Sequence, residues 1–254
     1  MSNGHSAIGR QSGGRNAKIP RMIGVPRRTP CALLLAACTL SFAPFGHGAA
    51  SPELAPKAPV QDFVAPPPGS YGLPPIQRVP EGLVLDIDGR RQAFSRFTTG
   101  RVTLLCFMYT YCVDPIGCPL AFETMTTLRR RLLENPERAR QVRLVSLSFD
   151  PTNDDPAAMK RYAGALADPA SPLRWHFLTT RSVTELKPLL DDLGQDVAVE
   201  LDEHGRPTRV LNHTLKLFLI DARGRVREIY TSAFLLPEVM LNDIETLLLE
   251  TVDR

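Results

Sequence analysis

Two apolar runs, Val102 to Tyr109 and Val142 to Phe149, constrain the fold of this chain most. Each is nearly continuous rather than alternating, the pattern of a strand covered on both faces. Between them Leu120, Met125, Leu128 and Leu132 recur near helical spacing over Pro119 to Leu133, and the pattern stops before Pro136. Strand, helix, strand in that order predicts a right-handed parallel crossover.

The flanking sequence extends this unit. Leu83 to Ile87 reads as a short strand turning at Asp88-Gly89. Asp155 followed by Pro156 is an N-cap with proline in the first helical position. That helix runs through Met159, Tyr162 and Ala163, and Arg174 to Leu178 is a further strand. Ser182 and Glu185 have capping-box spacing ahead of Leu186, Leu189 and Leu190, with Pro188 inside the first turns. Val197 to Val210 reads as a ribbon turning at Glu203-His204-Gly205. Leu215 to Ile220 and Val226 to Tyr230 form a hairpin. A closing helix follows Pro237, with Val239, Ile244, Leu247 and Leu248 on its apolar side. A crossover, a hairpin and a closing helix make the thioredoxin arrangement: an α/β domain over residues 81–254 with a central mixed sheet flanked by helices.

Residues 1–50 read as an export signal. Six cations and no acid precede an apolar stretch from Cys31 to Phe45, and Gly48-Ala49-Ala50 offers a cleavage site. Met22 is an alternative start. Leu35-Ala36-Ala37-Cys38 matches a lipobox that would lipidate Cys38, and Arg27-Arg28 is a weaker twin-arginine match. An uncleaved anchor is the third reading, although Pro44 interrupts the run and leaves it short for a membrane span. Residues 51–80 hold nine prolines and read as an extended linker. With the six leader cations set aside, the net charge of +3 becomes −3. The body therefore lacks the basic excess of a nucleic-acid binder.

In an exported chain, Cys106, Cys112 and Cys118 are the cysteines that matter. Cys106 lies inside an apolar strand and reads as a buried thiol. Cys112 and Cys118 lie between that strand and a helix, at the carboxyl end of a sheet strand, where α/β proteins bind ligands. The helix N-terminus favours thiolate over thiol. Six residues apart on a helix, the two thiols would face different directions. They converge only across a loop, for which Pro115 and Gly117 are suited. Converged, they close a disulfide or clamp one metal ion. Two thiolates with an imidazole suit Cu(I) and also hold Cu(II), whereas zinc usually wants a fourth ligand. A purely structural disulfide is the plainer reading. Asp114 reads as a turn residue, and Asp150 as a cap or support for the site.

Several stretches together resemble the Sco/SenC family. They are Cys118-Pro119 after the first long strand, Ser146 to Pro151 with Asp155-Pro156, Lys160 to Ala163, Trp175 to Thr179, and Asn212-His213-Thr214 ahead of Leu219-Ile220-Asp221. The similarity spans roughly residues 80 to 250. It implies copper bound by Cys112, Cys118 and His213, with Cys112 and Cys118 as a redox-active pair. It also implies a role in maturing the binuclear copper site of cytochrome c oxidase, by copper delivery or by thiol reduction. The implied partner is that oxidase's copper-site subunit, or another thiol or copper protein. The export signal makes the expected location the periplasm, with the domain tethered to the membrane if the N-terminus is retained, and the expectation is a monomer that is a copper chaperone more than an enzyme. The loop departs from the family's usual three residues between cysteines and has five. Three competing functions are an exported thiol–disulfide oxidoreductase without metal, a thiol peroxidase on the strength of Thr110 alone, and a non-catalytic binding module that keeps the fold, against which the intact cysteine pair argues.

Overall fold

The computed structural model describes residues 60–112, 114 and 116–252. In chain order they form β1 (Gln77–Arg78), β2 (Leu83–Leu85), β3 (Arg91–Ala93), α1 (Ser95–Thr98), β4 (Val102–Met108), α2 (Gly117–Leu133), α3 (Pro136–Ala139), β5 (Val142–Ser148), α4 (Pro156–Ala163), β6 (Arg174–Leu178), α5 (Val183–Asp192), β7 (Val197–Leu201), β8 (Pro207–His213), β9 (Lys216–Ile220), β10 (Arg225–Thr231) and α6 (Pro237–Val252). The candidate signal, with Cys38 and the Arg27-Arg28 pair, lies outside the described residues.

The main sheet has the order β1-β10-β9-β4-β5-β6. β4 pairs parallel with β5, and β5 with β6, while β9 runs antiparallel to β4 on its other side. Every residue of β4 and β5 is buried, which is why both runs read as continuously apolar rather than alternating. The pleat still sorts their side chains. Leu104, Cys106 and Met108 join Leu120, Met125 and Leu128 of α2, Met159 of α4 and Ile244 of α6 in one core layer. Leu105, Phe107 and Tyr109 join Phe94, Phe97, Leu186 and Leu189 in the other. Each large side chain buried this fully contributes roughly 1.5–3 kcal/mol. The result is a mixed sheet between two helical layers, the thioredoxin-like arrangement expected from the sequence.

Local signals place the helix starts. Asp155 accepts from the Ala158 amide at 2.7 Å, with Pro156 at the first turn. Ser182 accepts from the Glu185 amide at 3.3 Å, and α5 runs on through Pro188. On α6, Met240 and Leu241 are buried with Ile244, Leu247 and Leu248, whereas Val239 is only half-buried. The expected face holds at Ile244, Leu247 and Leu248, and Met240 and Leu241 take the place of Val239 in it.

Part of the stretch read as a linker is held against the domain. Asn242 donates to the Pro66 carbonyl at 2.8 Å, Gly69 N to Thr246 Oγ1 at 3.0 Å, and Tyr71 Oη to Asp243 Oδ1 at 2.6 Å. Gly69 has a φ of +75°, a left-handed conformation that favours glycine. Leu73 is buried, and β1 adds to the edge of β10. Buried Arg227 gathers this region: it donates to the Leu73 carbonyl, makes a two-pronged pair with Glu250 at 2.8 and 2.9 Å, and reaches Asp221 at 3.1 Å. The stretch that read as an unpacked tether instead presents the Pro66 carbonyl, the Gly69 amide and the Tyr71 hydroxyl to α6.

Candidate metal and redox centre

The cysteine loop leaves the C-terminal end of β4. Tyr109 is buried at 2 % exposure and closes one face of the strand, and the Cys112 amide reaches back to its carbonyl at 3.4 Å. The loop re-enters regular structure at Gly117, so Cys118 stands in the first turn of α2, two residues earlier than the apolar pattern places the helix. Asp114 accepts from the Ile116 amide at 2.8 Å and so supports the helix start. A Cβ on Gly117 would meet Asp114 Oδ2 at 2.5 Å, and glycine keeps that carboxylate in place.

Cys112 and Cys118 are free thiols close enough to shift one another's ionisation, and both are half-buried. Their environments divide the pair. Cys112 is lowered to about 6, first by the hydrogen bond from Cys118, then by those from the Tyr109 hydroxyl and the Asp114 amide, with a smaller contribution from His213; burial opposes the shift. Cys118 is pushed far up by its contact with Cys112 and by burial. The sequence suggested that the helix N-terminus would favour thiolate at both positions. That holds for Cys112 alone, because two sulfurs in contact do not both ionise. Of the pair, Cys112 is the sulfur that gives up its proton first and Cys118 the one that retains it.

His213 ends β8 and reaches the same place. Its ring packs on Phe149 at 4.6 Å and edge-on to Tyr109 at 6.1 Å between centroids. Nδ1 lies 2.9 Å from the Leu211 carbonyl, which assigns the proton to Nδ1 and leaves the lone pair on Nε2. The Leu211 amide in turn donates to the Tyr109 hydroxyl. One residue of β8, Leu211, therefore orients both the imidazole, through its carbonyl, and the phenol that faces Cys112, through its amide. Among the described residues, no three His, Cys, Asp or Glu side chains are drawn together tightly enough to hold a metal ion. The structure brings the two sulfurs together, with the imidazole beside them and short of ligating distance.

Sequence reasoning missed the group that anchors this loop. Asp154, fully buried, accepts from the Thr110 amide at 3.0 Å, from the Thr110 hydroxyl at 2.5 Å and from Ser148 Oγ at 2.6 Å. Its signal was adjacency to the cap Asp155, which alone attracted notice. Thr110, the residue that suggested peroxide chemistry, spends its hydroxyl on this carboxylate. Asp150 supports the site as expected: it accepts from the Tyr111 hydroxyl and from Asn153 Nδ2 at 2.7 Å. Arg209 of β8 lies 4.5 Å over the Tyr111 ring, a cation–π contact that ties the hairpin to the loop. His176 is elsewhere, beside Phe97 at 5.1 Å, and His204 is exposed in the β7–β8 turn.

The divided pair sets a reactivity order. Cys112 is expected to alkylate before Cys118 and Cys106, at a rate that is level above about pH 7 and falls as pH drops through about 6. Against a thiol of pKa 9.0 its thiolate fraction at pH 7 is roughly ninetyfold higher, but lower basicity reduces intrinsic nucleophilicity by about twentyfold, leaving a net gain of about fourfold. Mass spectrometry of the modified sites across pH 5–9 measures both. Cys106, pushed up to about 12 by complete burial, stays unmodified.

Fold and site together define a thioredoxin-like domain whose centre is a reduced, asymmetric cysteine pair with a histidine beside it. The family profile described as SCO1/SenC matches residues 84–249, and the chain belongs to that family. A curated relative, the SCO1 protein homolog of Bacillus subtilis (strain 168), is 38 % identical over 89 residues, which cover 35 % of this chain and 42 % of the relative. The chain thus spans less than half of that relative's length. Among solved structures, the SCO1/SenC family lipoprotein of Bacillus anthracis str. Ames superposes with a TM-score of 0.57 at 24 % identity, covering 70 % of this chain and 99 % of that one. BsSco, described as a Sco family cytochrome c oxidase assembly protein with a disulfide switch, gives 0.52 at 25 % over 70 % and 98 %. The copper-bound ScoI of Bradyrhizobium japonicum gives 0.52 at 21 % over 66 % and 98 %. No helix among the described residues is long and apolar enough to cross a membrane.

Proposed function

We propose that this chain binds copper through Cys112, Cys118 and His213 and acts in maturing the copper site of a cytochrome c oxidase. The observation that carries this reading is the contact between the two sulfurs, one of them a thiolate, beside an imidazole whose free lone pair is on Nε2. The donors fit copper in kind: soft sulfur for Cu(I), with nitrogen added for Cu(II). Cys118 still carries a proton, so capture releases it. Because His213 stands short of ligating distance, capture on this reading draws the loop and the β7–β8 hairpin together. Family membership and the copper-bound ScoI fold support the proposal. The reading includes export to the periplasm with the domain tethered through its N-terminus, for which the lipoprotein relative is the support.

A second reading has its own observation. An accessible thiolate backed by a protonated, deeper thiol is the arrangement of an attacking and a resolving cysteine. Cys112 attacks a partner disulfide, forms a mixed disulfide and expels one partner thiolate. The Cys118 thiolate, after losing its proton, then displaces the second, so two electrons pass to the partner and Cys112–Cys118 closes.

His213→Ala separates the two. Under copper delivery it is expected to lower Cu(II) affinity by about tenfold to a hundredfold while disulfide reduction stays within about twofold. Equilibrium copper titration of the reduced protein and a dithiol–disulfide exchange assay read the two effects. A wild-type protein that takes up no copper when reduced, yet reduces disulfides normally, would replace the first reading with the second.

A further inference from the structure

A second candidate site lies away from the cysteine loop, on the open edge of the sheet. β6 is the outermost strand, and its outer side meets only Leu85, which exchanges two backbone bonds with Thr179 at 2.7 and 3.0 Å. Backbone groups alternate in direction along a strand, so Trp175 and Phe177 present their N–H and C=O groups to the same edge as Thr179. β2 ends at Leu85, and Asp86 turns the chain away before it reaches them. What remains beside the edge is a cleft of about 1100 Å³, walled by β6, by the loop joining β2 and β3, by Arg96 and Phe97, and by the turn at Gly164–Ala167.

The charges of this cleft do not balance. Its acids are Asp88, which pairs with Arg90 and Lys160, Asp86, which accepts from two backbone amides and from Gln92, and Asp168, which accepts from the Ala170 amide at 2.8 Å. Arg91 is paired with Glu185. Arg96 and Arg174 line the cleft, and among the described residues neither meets a carboxylate; Arg174 reaches only the Pro169 carbonyl at 3.0 Å. Buried Arg143 is the register partner of Arg174 on β5, and it too donates only to carbonyls, those of Arg96 and Thr99. Like charges directly opposite on neighbouring strands are destabilising. Burial and the nearby Arg101 lower Arg143 to about 10, the response of a cation without a counter-charge. Arg143 and Arg174 stand at the starts of β5 and β6, the end of the parallel strands opposite the cysteine loop.

We propose that this cleft docks an extended, acid-bearing peptide segment of a partner protein, which pairs with the β6 edge at Trp175 and Phe177 and sets carboxylates against Arg96 and Arg174. Main-chain pairing supplies the register and the cations supply the selectivity. The proposal is independent of the copper centre, since none of these residues contacts the cysteine loop or His213.

The test titrates the full chain with the peptide Glu-Val-Glu-Val-Glu and, separately, with Lys-Val-Lys-Val-Lys. Trp175 is the sole tryptophan, so its fluorescence reports from the strand itself. Expected results are saturable binding of the glutamate peptide that weakens with added salt, and amide exchange slowed about tenfold or more at Trp175 and Phe177. Arg174→Glu and Arg96→Glu should each weaken binding about tenfold. Exchange in the wild-type chain keeps the test valid if a variant folds poorly. No saturation by about 1 mM, equal binding of the lysine peptide, or full affinity in both folded variants would overturn it and leave the arginines as guards against edge-to-edge association.

Discussion

Replacing Cys112 with serine is expected to weaken Cu(I) binding by more than about a hundredfold, a loss of at least roughly 2.7 kcal/mol. The substitution exchanges a soft, ionised donor for a hard, protonated hydroxyl. It also removes the one sulfur that is already deprotonated at neutral pH. Cys118→Ser should cost a similar amount by a different route. The hydrogen bond from Cys118 is the largest influence lowering Cys112, so its removal alters the remaining ligand as well as deleting a donor. Because the two sulfurs act as a unit, the double variant should be little worse than either single one. Cys106→Ala serves as the internal control, since that thiol is wholly buried in β4 and takes no part. Competition against a chromophoric Cu(I) chelator measures all four proteins. An affinity for the Cys112 variant within threefold of the parent would remove this thiol from the metal centre.

The parts of this molecule that were legible in the sequence are those governed by short-range rules. Continuous apolar runs marked β4 and β5 because both faces of each strand are covered. Asp155 and Ser182 marked the starts of α4 and α5 because a capping oxygen acts within three residues. The cysteine pair was legible because its position between a strand and a helix is itself a local fact. What could not be read is what distant segments do to one another. Residues 66–73 looked like a free tether, since proline density says nothing about the carbonyls and tyrosine that α6 receives. The unequal fates of Cys112 and Cys118 arise first from the interaction of the two sulfurs and then from the Tyr109 hydroxyl, which Leu211, roughly a hundred residues further along the chain, engages. The expected face of α6 held at Ile244, Leu247 and Leu248, while Met240 and Leu241 are buried in place of Val239, because α2 and β4 set which side of that helix is covered.

Asp154 gives the sharpest case of a role invisible in one dimension, and it carries a large expected effect. Its carboxylate collects three donors from two elements: the amide and hydroxyl of Thr110, where the cysteine loop leaves β4, and the hydroxyl of Ser148 at the end of β5. Hydrogen bonds to a charged acceptor contribute roughly 1.5–3 kcal/mol each, offset by the cost of burying that charge. Asp154→Ala leaves the three donors unsatisfied in a buried place, and a net loss of about 3 kcal/mol is expected. In urea the unfolding midpoint should fall by roughly 1.5 M for a slope near 2 kcal/mol/M. A purely structural role would stop there. Thr110 is two residues from Cys112, however, so releasing it also frees the loop that holds the two sulfurs in contact. The variant should therefore lose the early reactivity of Cys112, its alkylation rate at pH 7 falling about fourfold to that of an ordinary thiol. Asp154→Asn keeps one acceptor oxygen for Thr110 or Ser148 and should recover part of both effects. If Asp154→Ala unfolded at the parent midpoint with Cys112 reacting as before, the carboxylate would neither hold the loop nor set the thiolate. The position of the loop would then have to be maintained without Asp154, through Tyr109 just after β4 and Leu211 of β8.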